Sequence, residues 1–352
     1  MLQIPAEILA MSAEPALLAK NGKILFANAA ACALFGGACC GKSLRAVLGE
    51  ELAGIQAGSY LGELEHNGRR YLLRTQTVEG MQALFLQESR IAEELINDAF
   101  LVSLRQVLME LQMSGTLLRN SLEKELGRDL GSEMGPFNRS FFRISRILSN
   151  MTVVRGAGSG ELTYLPRVLD LAAFLRDLAD SMSVLFSAPE LRMTLPEVCP
   201  CRADPALLES LILNLISNCL RHAKGATRIS LRLSCAGDRV LLSVDDDGCG
   251  IPAEEMHTVF DRFRHRYALE ELGKGAGLGL TAVREIARLH GGTLMLESRA
   301  GRGTNVRVSL RCALPAMPLS AGGESWERSY GSILTGLADC LETNCFSGLL
   351  TE

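Results

Sequence analysis

The sequence has no excess of positive charge: 36 lysines and arginines face 40 acidic residues, for a formal net charge of −4. Direct contact with DNA or RNA normally uses a clustered basic face, so nucleic acid is not an expected partner. There is no long apolar run either. The most apolar helix-like stretch, 207–220, is interrupted by Glu209, Ser210, Asn214 and Asn218, and nothing reaches the ~20 apolar residues that a membrane span requires. Signal-peptide features, paired CxxC knuckles and a Cys/His ligand cluster are also missing. The eleven cysteines are therefore read as reduced thiols in a cytoplasmic protein rather than as a disulfide framework. What remains is an ordinary globular composition, 47% hydrophobic and 22% charged over 352 residues. That length allows two or three domains and a sizeable core.

Residues 7–88 alternate short strand-like runs with turns. Ile24-Leu25-Phe26 follows Asn21-Gly22, and Gly62–His66, Arg70–Gln76 and Met81–Gln87 surround Asn67-Gly68 and Glu79-Gly80. This is the pattern of an antiparallel meander. With its Asn-containing turn and short alanine-rich helix, the run EPALLAKNGKILFANAAACALFG resembles a PAS sensor domain, which implies a small antiparallel sheet with helices on one side. Gly36 to Ser43 literally fits the phosphate-loop pattern GxxxxGK[ST]. A true P-loop follows a buried strand and opens a helix, whereas this segment follows the helical Asn28–Phe35, and PAS domains have a similar turn here. It is read as a turn.

From Leu101 onward, apolar residues recur at Leu101, Leu104, Leu108, Leu111, Leu118 and Leu122, with Gly115 filling the missing step. After a breaker-rich stretch, Gly127 to Pro136, they resume at Phe137, Phe141, Ile144, Leu148 and Met151. This spacing predicts two helices in a hairpin, each with one apolar seam. Pairing two copies into a four-helix bundle buries both seams; packing against the chain's own domains is the alternative. Further on, Val168–Leu185 reads as an amphipathic helix and a short strand is expected near Met193. After Pro315 the tail is polar, then helical from Trp326 to Leu341.

The chemistry-bearing residues lie between these segments. Asp204-Pro205 marks a helix start, and within that helix Asn214 and Asn218, four apart, share one face. Their carbonyl oxygens suit a magnesium ion held chiefly by phosphates, although two mutually satisfied buried amides are the plainer reading. After the strand Val240–Val244 come Asp246, Gly248 and Gly250. A carboxylate at a strand end can accept a hydrogen bond from an adenine amino group, and glycines let the backbone approach the base. Gly273–Leu280 then offers bare amides for phosphate where a helix begins near Leu278. No acidic residue follows ~20 positions on at a second strand end, so a dinucleotide-binding turn does not fit.

In this order, closed by Gly301-Arg302-Gly303-Thr304, these segments resemble the Bergerat ATP-binding domain of sensor histidine kinases, from Asp204 to about Leu310. The resemblance implies ATP and Mg2+ as ligands. It makes Asn214 and Asn218 the N box that holds magnesium, sets Arg221 near phosphate and His222 against the nucleotide, and places Asp246, Gly248 and Gly250 at adenine. Gly275, Gly277, Leu278 and Gly279 form the second glycine box, and Thr304 joins the nucleotide-contacting set. Phe260 and Phe263 fall in the F box, as lid or as plain core. In that family the first hairpin helix carries a histidine, then an acidic residue, then a proline; laid on that pattern, this sequence has Gln106, Val107 and Leu111. No histidine occurs between Phe100 and Val154; the five are His66, His222, His257, His265 and His290, the last read as packing. A glutamine amide is not a nucleophile under conditions where an imidazole is.

The expected architecture is α+β and multidomain: a PAS-like sensor over 1–90, a dimerising helical hairpin over 91–158, a Bergerat α/β sandwich over 159–314 and an extension over 315–352 with no assigned role. The expected function is that of an ATP-binding, histidine-kinase-like protein of two-component signalling that does not autophosphorylate at the usual hairpin position. One alternative is a regulatory pseudokinase acting through ATP-dependent hairpin shape; another, a serine kinase of the anti-sigma-factor type, lacks counterparts for the sensor and hairpin. The partners implied are a second copy or a related kinase, and a response regulator.

Overall fold

The structure is a computed structural model that describes Leu9, Ser12 and residues 14–48, 59–67, 69–78, 81–88, 98–160, 162–256, 278–311 and 330–347. Strands β1 (Ala16–Lys20) and β2 (Lys23–Ala27) are joined by Asn21 and Gly22, whose φ values of 50° and 73° belong to the tight turn that matches strand twist. Asn28 caps α1 (Ala29–Leu34). Its Oδ1 accepts from the amides of Ala16 (3.0 Å) and Ala31 (2.9 Å), and its Nδ2 donates to the carbonyl of Glu14 (2.8 Å). After α2 (Leu44–Leu48) come β3 (Ser59–His66), β4 (Arg69–Val78) and β5 (Met81–Glu88). The five strands form an antiparallel array in the order β2-β1-β5-β4-β3, around a core that includes Leu17, Ile24, Leu73, Leu84 and Leu86. The P-loop-like segment is tied down by its own backbone. The amide of Gly37 donates to the Cys32 carbonyl, that of Gly41 to Ile24 and that of Lys42 to Cys39, so these amides are not turned toward an anion.

Two helices of equal length follow, α3 (Asp98–Leu126) and α4 (Gly131–Ser159). The second begins earlier than the breaker-rich stretch suggests. Pro136 lies inside it as its sixth residue, so the bond that an N–H would make to the Ser132 carbonyl is missing from the ladder. Gly115 exists because the Phe137 ring lies on it: a Cβ there would stand 2.6 Å from the ring. The predicted seam divides. Leu101, Leu108, Phe141, Leu148 and Met151 are buried within this chain, while Leu111 and Leu118 are exposed.

The third region contains β6 (Arg167–Asp170), α5 (Leu171–Ser183), β7 (Glu190–Thr194), β8 (Pro200–Ala203), α6 (Pro205–His222), β9 (Arg228–Ala236), β10 (Arg239–Asp246), α7 (Leu278–Leu289), β11 (Leu294–Arg299) and β12 (Gly303–Arg311). Val168 therefore sits in a strand, and the amphipathic helix starts at Leu171, where the Asp170 side chain accepts from the Ala172 amide. α6 and α7 pack on each other and against this sheet. Leu208, Leu211, Ile212 and Ile216 of α6 meet Ala282, Val283 and Ile286 of α7 and Leu242, Val244 and Val308 of the strands, all fully or nearly fully buried. Burial of each large aliphatic chain contributes roughly 1.5–3 kcal/mol.

Three features depart from the sequence reading. Cys199 and Cys235 are joined in a disulfide and Cys201 is also disulfide-bonded, so reduced thiols describe Cys32, Cys39, Cys40, Cys219, Cys249, Cys340 and Cys345 but not these three. The spacing of these cysteines in sequence carries no sign of a pair that meets only once the strands are assembled. The tail forms α8 (Tyr330–Leu337), shorter than anticipated, then a 3-10 turn (Thr343–Phe346) packed on α4; Trp326 lies outside the described residues. The two sheets are also continuous. β3 pairs antiparallel with β11, giving ten strands in the order β2-β1-β5-β4-β3-β11-β12-β10-β9-β7. Among the described residues, no helix is long and apolar enough to cross a membrane.

Candidate nucleotide site

The site is built along α6. Asp204 starts this helix: its Oδ1 accepts from the amides of Ala206 (3.0 Å) and Leu207 (3.2 Å). The backbone amide of Asp204 donates to Nε2 of His290 (3.1 Å), whose Nδ1 lies 2.8 Å from the Ile286 carbonyl. His290 is thus a buried, neutral packing residue that ties α6 to α7, and burial holds its pKa below the ordinary value.

At the far end of α6, β10 delivers Asp246 in register opposite Thr304 on one side and Ile229 on the other. Its Oδ1 accepts from the amides of Gly248 (3.0 Å) and Thr304 (3.3 Å), and Cys219 of α6 hydrogen-bonds to it. Burial pushes its pKa up, against the pull of the two amides. The neighbouring Asp247 does the opposite work. Exposed, and held by the Thr227 hydroxyl (2.7 Å) and the amides of Thr227 and Arg228, it has a pKa lowered to about 2 and pins the loop before β9.

The turn after Asp246 needs its glycines. Gly250 has φ 63°, and a Cβ there would lie 2.1 Å from the Arg299 carbonyl oxygen; at Gly303 (φ 84°) it would lie 1.9 Å from that of Asp246. The turn is clasped on both sides: the Cys249 amide donates to the Lys224 carbonyl (3.1 Å), and the Gly301 amide to the Cys249 carbonyl (2.7 Å). Ser298, which sequence reasoning did not single out, accepts from the Ile251 amide (2.8 Å) and hydrogen-bonds to the Gly303 carbonyl and the Thr304 hydroxyl. The result is a carboxylate beside close-packed backbone, an arrangement suited to a flat base with an exocyclic amine.

The amides of α6 face another way. Asn214 is buried, with Oδ1 accepting from Nη2 of Arg146 (3.2 Å) and Nδ2 of Asn150 (3.1 Å). Its Nδ2 donates to Oδ1 of Asn150 (2.9 Å) and to the Ser210 carbonyl (2.9 Å). Both donors come from α4, so Asn214 can reach a metal ion only if α4 lets go. Asn218 is half-buried. Gly279, in the first turn of α7, lies against both amides: a Cβ there would be 3.1 Å from Oδ1 of Asn214 and 3.7 Å from that of Asn218. Leu278 is buried, and Arg221 holds Asp339 of the tail at 3.5 Å. His222 lies in the last turn of α6, and its carbonyl accepts from the Cys249 thiol (3.5 Å). Gly275, Gly277, Phe260 and Phe263 lie outside the described residues, as do His257 and His265. Gln106 is exposed on α3, with its Nε2 donating to Oε1 of Glu110 (3.2 Å). Among the described residues, no group of three or more His, Cys, Asp or Glu side chains is placed to hold a metal ion.

Residues 203–314 match the model of the histidine kinase-, DNA gyrase B- and HSP90-like ATPase family. The sensor protein IrlS of Burkholderia pseudomallei is 28% identical over 271 residues, which are 76% of this chain and 54% of that protein. The sensor-type histidine kinase PrrB of Mycobacterium leprae is 28% identical over 279 residues, 76% of this chain and 60% of that one. The chain thus spans little more than half the length of these relatives. The solved ATP-binding domain of PrrB from Mycobacterium tuberculosis is 29% identical and covers 43% of this chain and 98% of its own, with a TM-score of 0.33.

Proposed function

We propose, on the premise that this chain is a homologue of two-component sensor histidine kinases with their kind of ATP-binding domain, that it binds ATP with Mg2+ and does not phosphorylate its own hairpin. The observation that carries the reading is a contrast. Asp246 is a buried carboxylate beside the glycine turn that the family resemblance requires, while the sequence from Phe100 to Val154 contains no histidine. In this reading Asp246 accepts the adenine amine, Gly248, Gly250 and Thr304 shape the adjacent backbone, and Arg221 and His222 lie toward the phosphates and ring. Gly275, Gly277, Leu278 and Gly279 cradle the phosphates. Asn218 is the readier metal ligand of the pair, since Asn214 is engaged by α4. Bound ATP supplies a transferable phosphoryl group; what the chain's own residues do is bind, orient and exclude water.

The proposed organisation is a PAS-like sensor over 1–90, a dimerising hairpin over 91–158, the ATP-binding domain over 159–314 and the extension over 315–352. Dimerisation uses the exposed Leu111 and Leu118 rather than the buried Leu101 and Leu108, with a second copy or a related kinase as partner. A response regulator follows as the downstream partner, and the cytoplasm as the compartment.

One observation favours the pseudokinase form of this reading. With Asn214 held by Asn150 and Arg146, the metal end of the site is coupled to the hairpin, so nucleotide binding and hairpin position become one equilibrium. The deciding experiment is incubation with γ-labelled ATP, alone and with a histidine-bearing hairpin in trans. Label appearing on the added hairpin supports a competent kinase. ATP binding with no label on either protein supports the pseudokinase. Acid-labile label on this chain's own α3 overturns the reading.

A further inference from the structure

Beyond residue 314, where the family match ends, the tail returns to the body of the protein and inserts a carboxylate between two domains. Phe346 is fully buried, its ring centroid 5.7 Å from that of Phe142, and its carbonyl accepts from Nδ2 of Asn138 (2.8 Å). Ser332 hydrogen-bonds to the buried Glu209 of α6, and Cys340 lies 3.2 Å from the Ser217 hydroxyl. Between these anchors stands Asp339. Nε of Arg143 is 2.7 Å from its Oδ1; Nη1 of Arg146 is 2.8 Å and Nη1 of Arg221 3.5 Å from its Oδ2. The first two arginines are three apart on α4 and so share a face; the third comes from the last turn of α6.

Three guanidiniums from two domains on one carboxylate make a strongly cationic pocket. Arg146 is buried, with its side chain 9% exposed, and its Nε has no hydrogen-bond acceptor among the described residues. A buried guanidinium stripped of its anion is strongly unfavourable, so Arg146 strongly favours a negative group at this place, while water also reaches Arg143 and Arg221, whose side chains are 53% and 30% exposed. Guanidinium forks fit phosphate as well as carboxylate, and a phosphate brings more charge and more acceptor oxygens. Asp339 itself is ionised: burial works against the charge, but Arg143, Arg146 and Arg221 outweigh it and hold its pKa below the ordinary value.

We propose that Arg143, Arg146 and Arg221 form a phosphoryl-binding site between α4 and α6, and that Asp339 fills it as an internal anion until a phosphoryl group displaces the tail. Its position beside Asn214, which Arg146 also contacts, makes the terminal phosphate of a bound nucleotide one source of that group; this point alone rests on the proposed ATP reading. A free or protein-borne phosphate is the other source.

The test uses the full chain, with Asp339→Ala and the shape-preserving Asp339→Asn, and inorganic phosphate as probe at constant ionic strength. Calorimetry should show phosphate binding at least ~10-fold tighter in either variant than in the wild type, and the gain should vanish when Arg143→Gln is added. Should Asp339→Ala not fold, Asp339→Asn carries the measurement. Equal phosphate affinity in wild type and Asp339→Asn overturns the site, as does a gain that survives Arg143→Gln. An ATP and ADP arm identifies the source. A gain for ATP well above that for ADP assigns the terminal phosphate, while equal changes beside a gain for inorganic phosphate assign an independent phosphoryl ligand. If ATP binds neither form but phosphate binds Asp339→Asn, the nucleotide reading falls and this site stands.

Discussion

Two sides of α6 are held by different kinds of bond. On the Asp246 side, the carboxylate is fixed by the amides of Gly248 and Thr304 and by Cys219, all within the family-matched region. On the Asn214 side, the side chain is fixed by Arg146 and Asn150 of α4, and Arg221 by Asp339 of the tail. Backbone amides in a close-packed turn have few other positions to adopt. Side chains borrowed from another helix can be withdrawn. The same helix therefore presents a preformed side, suited to recognition, and a conditional side, suited to control.

The largest effect should come from disturbing the preformed side. Gly303→Val puts a β-branched side chain at φ 84° and a Cβ into the Asp246 carbonyl. Strain and overpacking together should lower stability by about 3–5 kcal/mol, read as a shift in the denaturation midpoint; an unchanged midpoint would mean that the turn is not packed as described. Next, Asp246→Asn removes the charge but keeps the shape. A charge-assisted hydrogen bond is worth ~1.5–3 kcal/mol, so ATP should bind roughly 10- to 150-fold more weakly by calorimetry with little change in melting. Asn150→Ala should do the converse. The loss of two buried hydrogen bonds costs about 1–2 kcal/mol of stability, while ATP·Mg affinity holds or rises because only Arg146 still donates to Oδ1 of Asn214. A fall in affinity would show that Asn150 supports the site rather than restraining it.

The smallest effect belongs to His290, which joins the start of α6 to α7 through the Asp204 amide. Its folded pKa lies below the unfolded value of 6.5 because of burial, so the unfolded chain takes up the proton first. Stability is complete above about pH 6.5 and declines as pH falls from there toward the folded pKa, by about 1.4 kcal/mol for each unit that separates the two. Replacing it in His290→Asn should flatten this part of the stability–pH profile, measured by urea titration at pH 5.5 and 7.5.

What the sequence made legible follows the same division. Strands, turns and the α6 start could be read because Asn21-Gly22, Asp204-Pro205 and the alternating runs act locally, through backbone preferences that need no partner. Asp246 and its glycines were legible for the same reason. Ser298, Asn150, Arg146 and Asp339 were not, since each acquires its role from a segment 47 to 196 residues away in sequence, and nothing in a lone serine or arginine announces a distant acceptor. The hairpin seam was half legible: periodicity located its apolar residues but did not tell which would meet α7 and the tail and which would remain open. Cys199 and Cys235 meet only through the assembled strands.

The junction of β3 with β11 joins the N-terminal sheet to the strands of the nucleotide region. Ser59 pairs with Ser298 and Gly62 with Met295 in this ladder, and Ser298 is the residue that braces Ile251 and Thr304. In any half-buried strand pair a slip of one residue turns side chains to the opposite face, so the pairing is fixed to within two residues, about 6.8 Å of strand. The brace on the turn after Asp246 therefore belongs to a strand whose other edge is already committed to the N-terminal sheet.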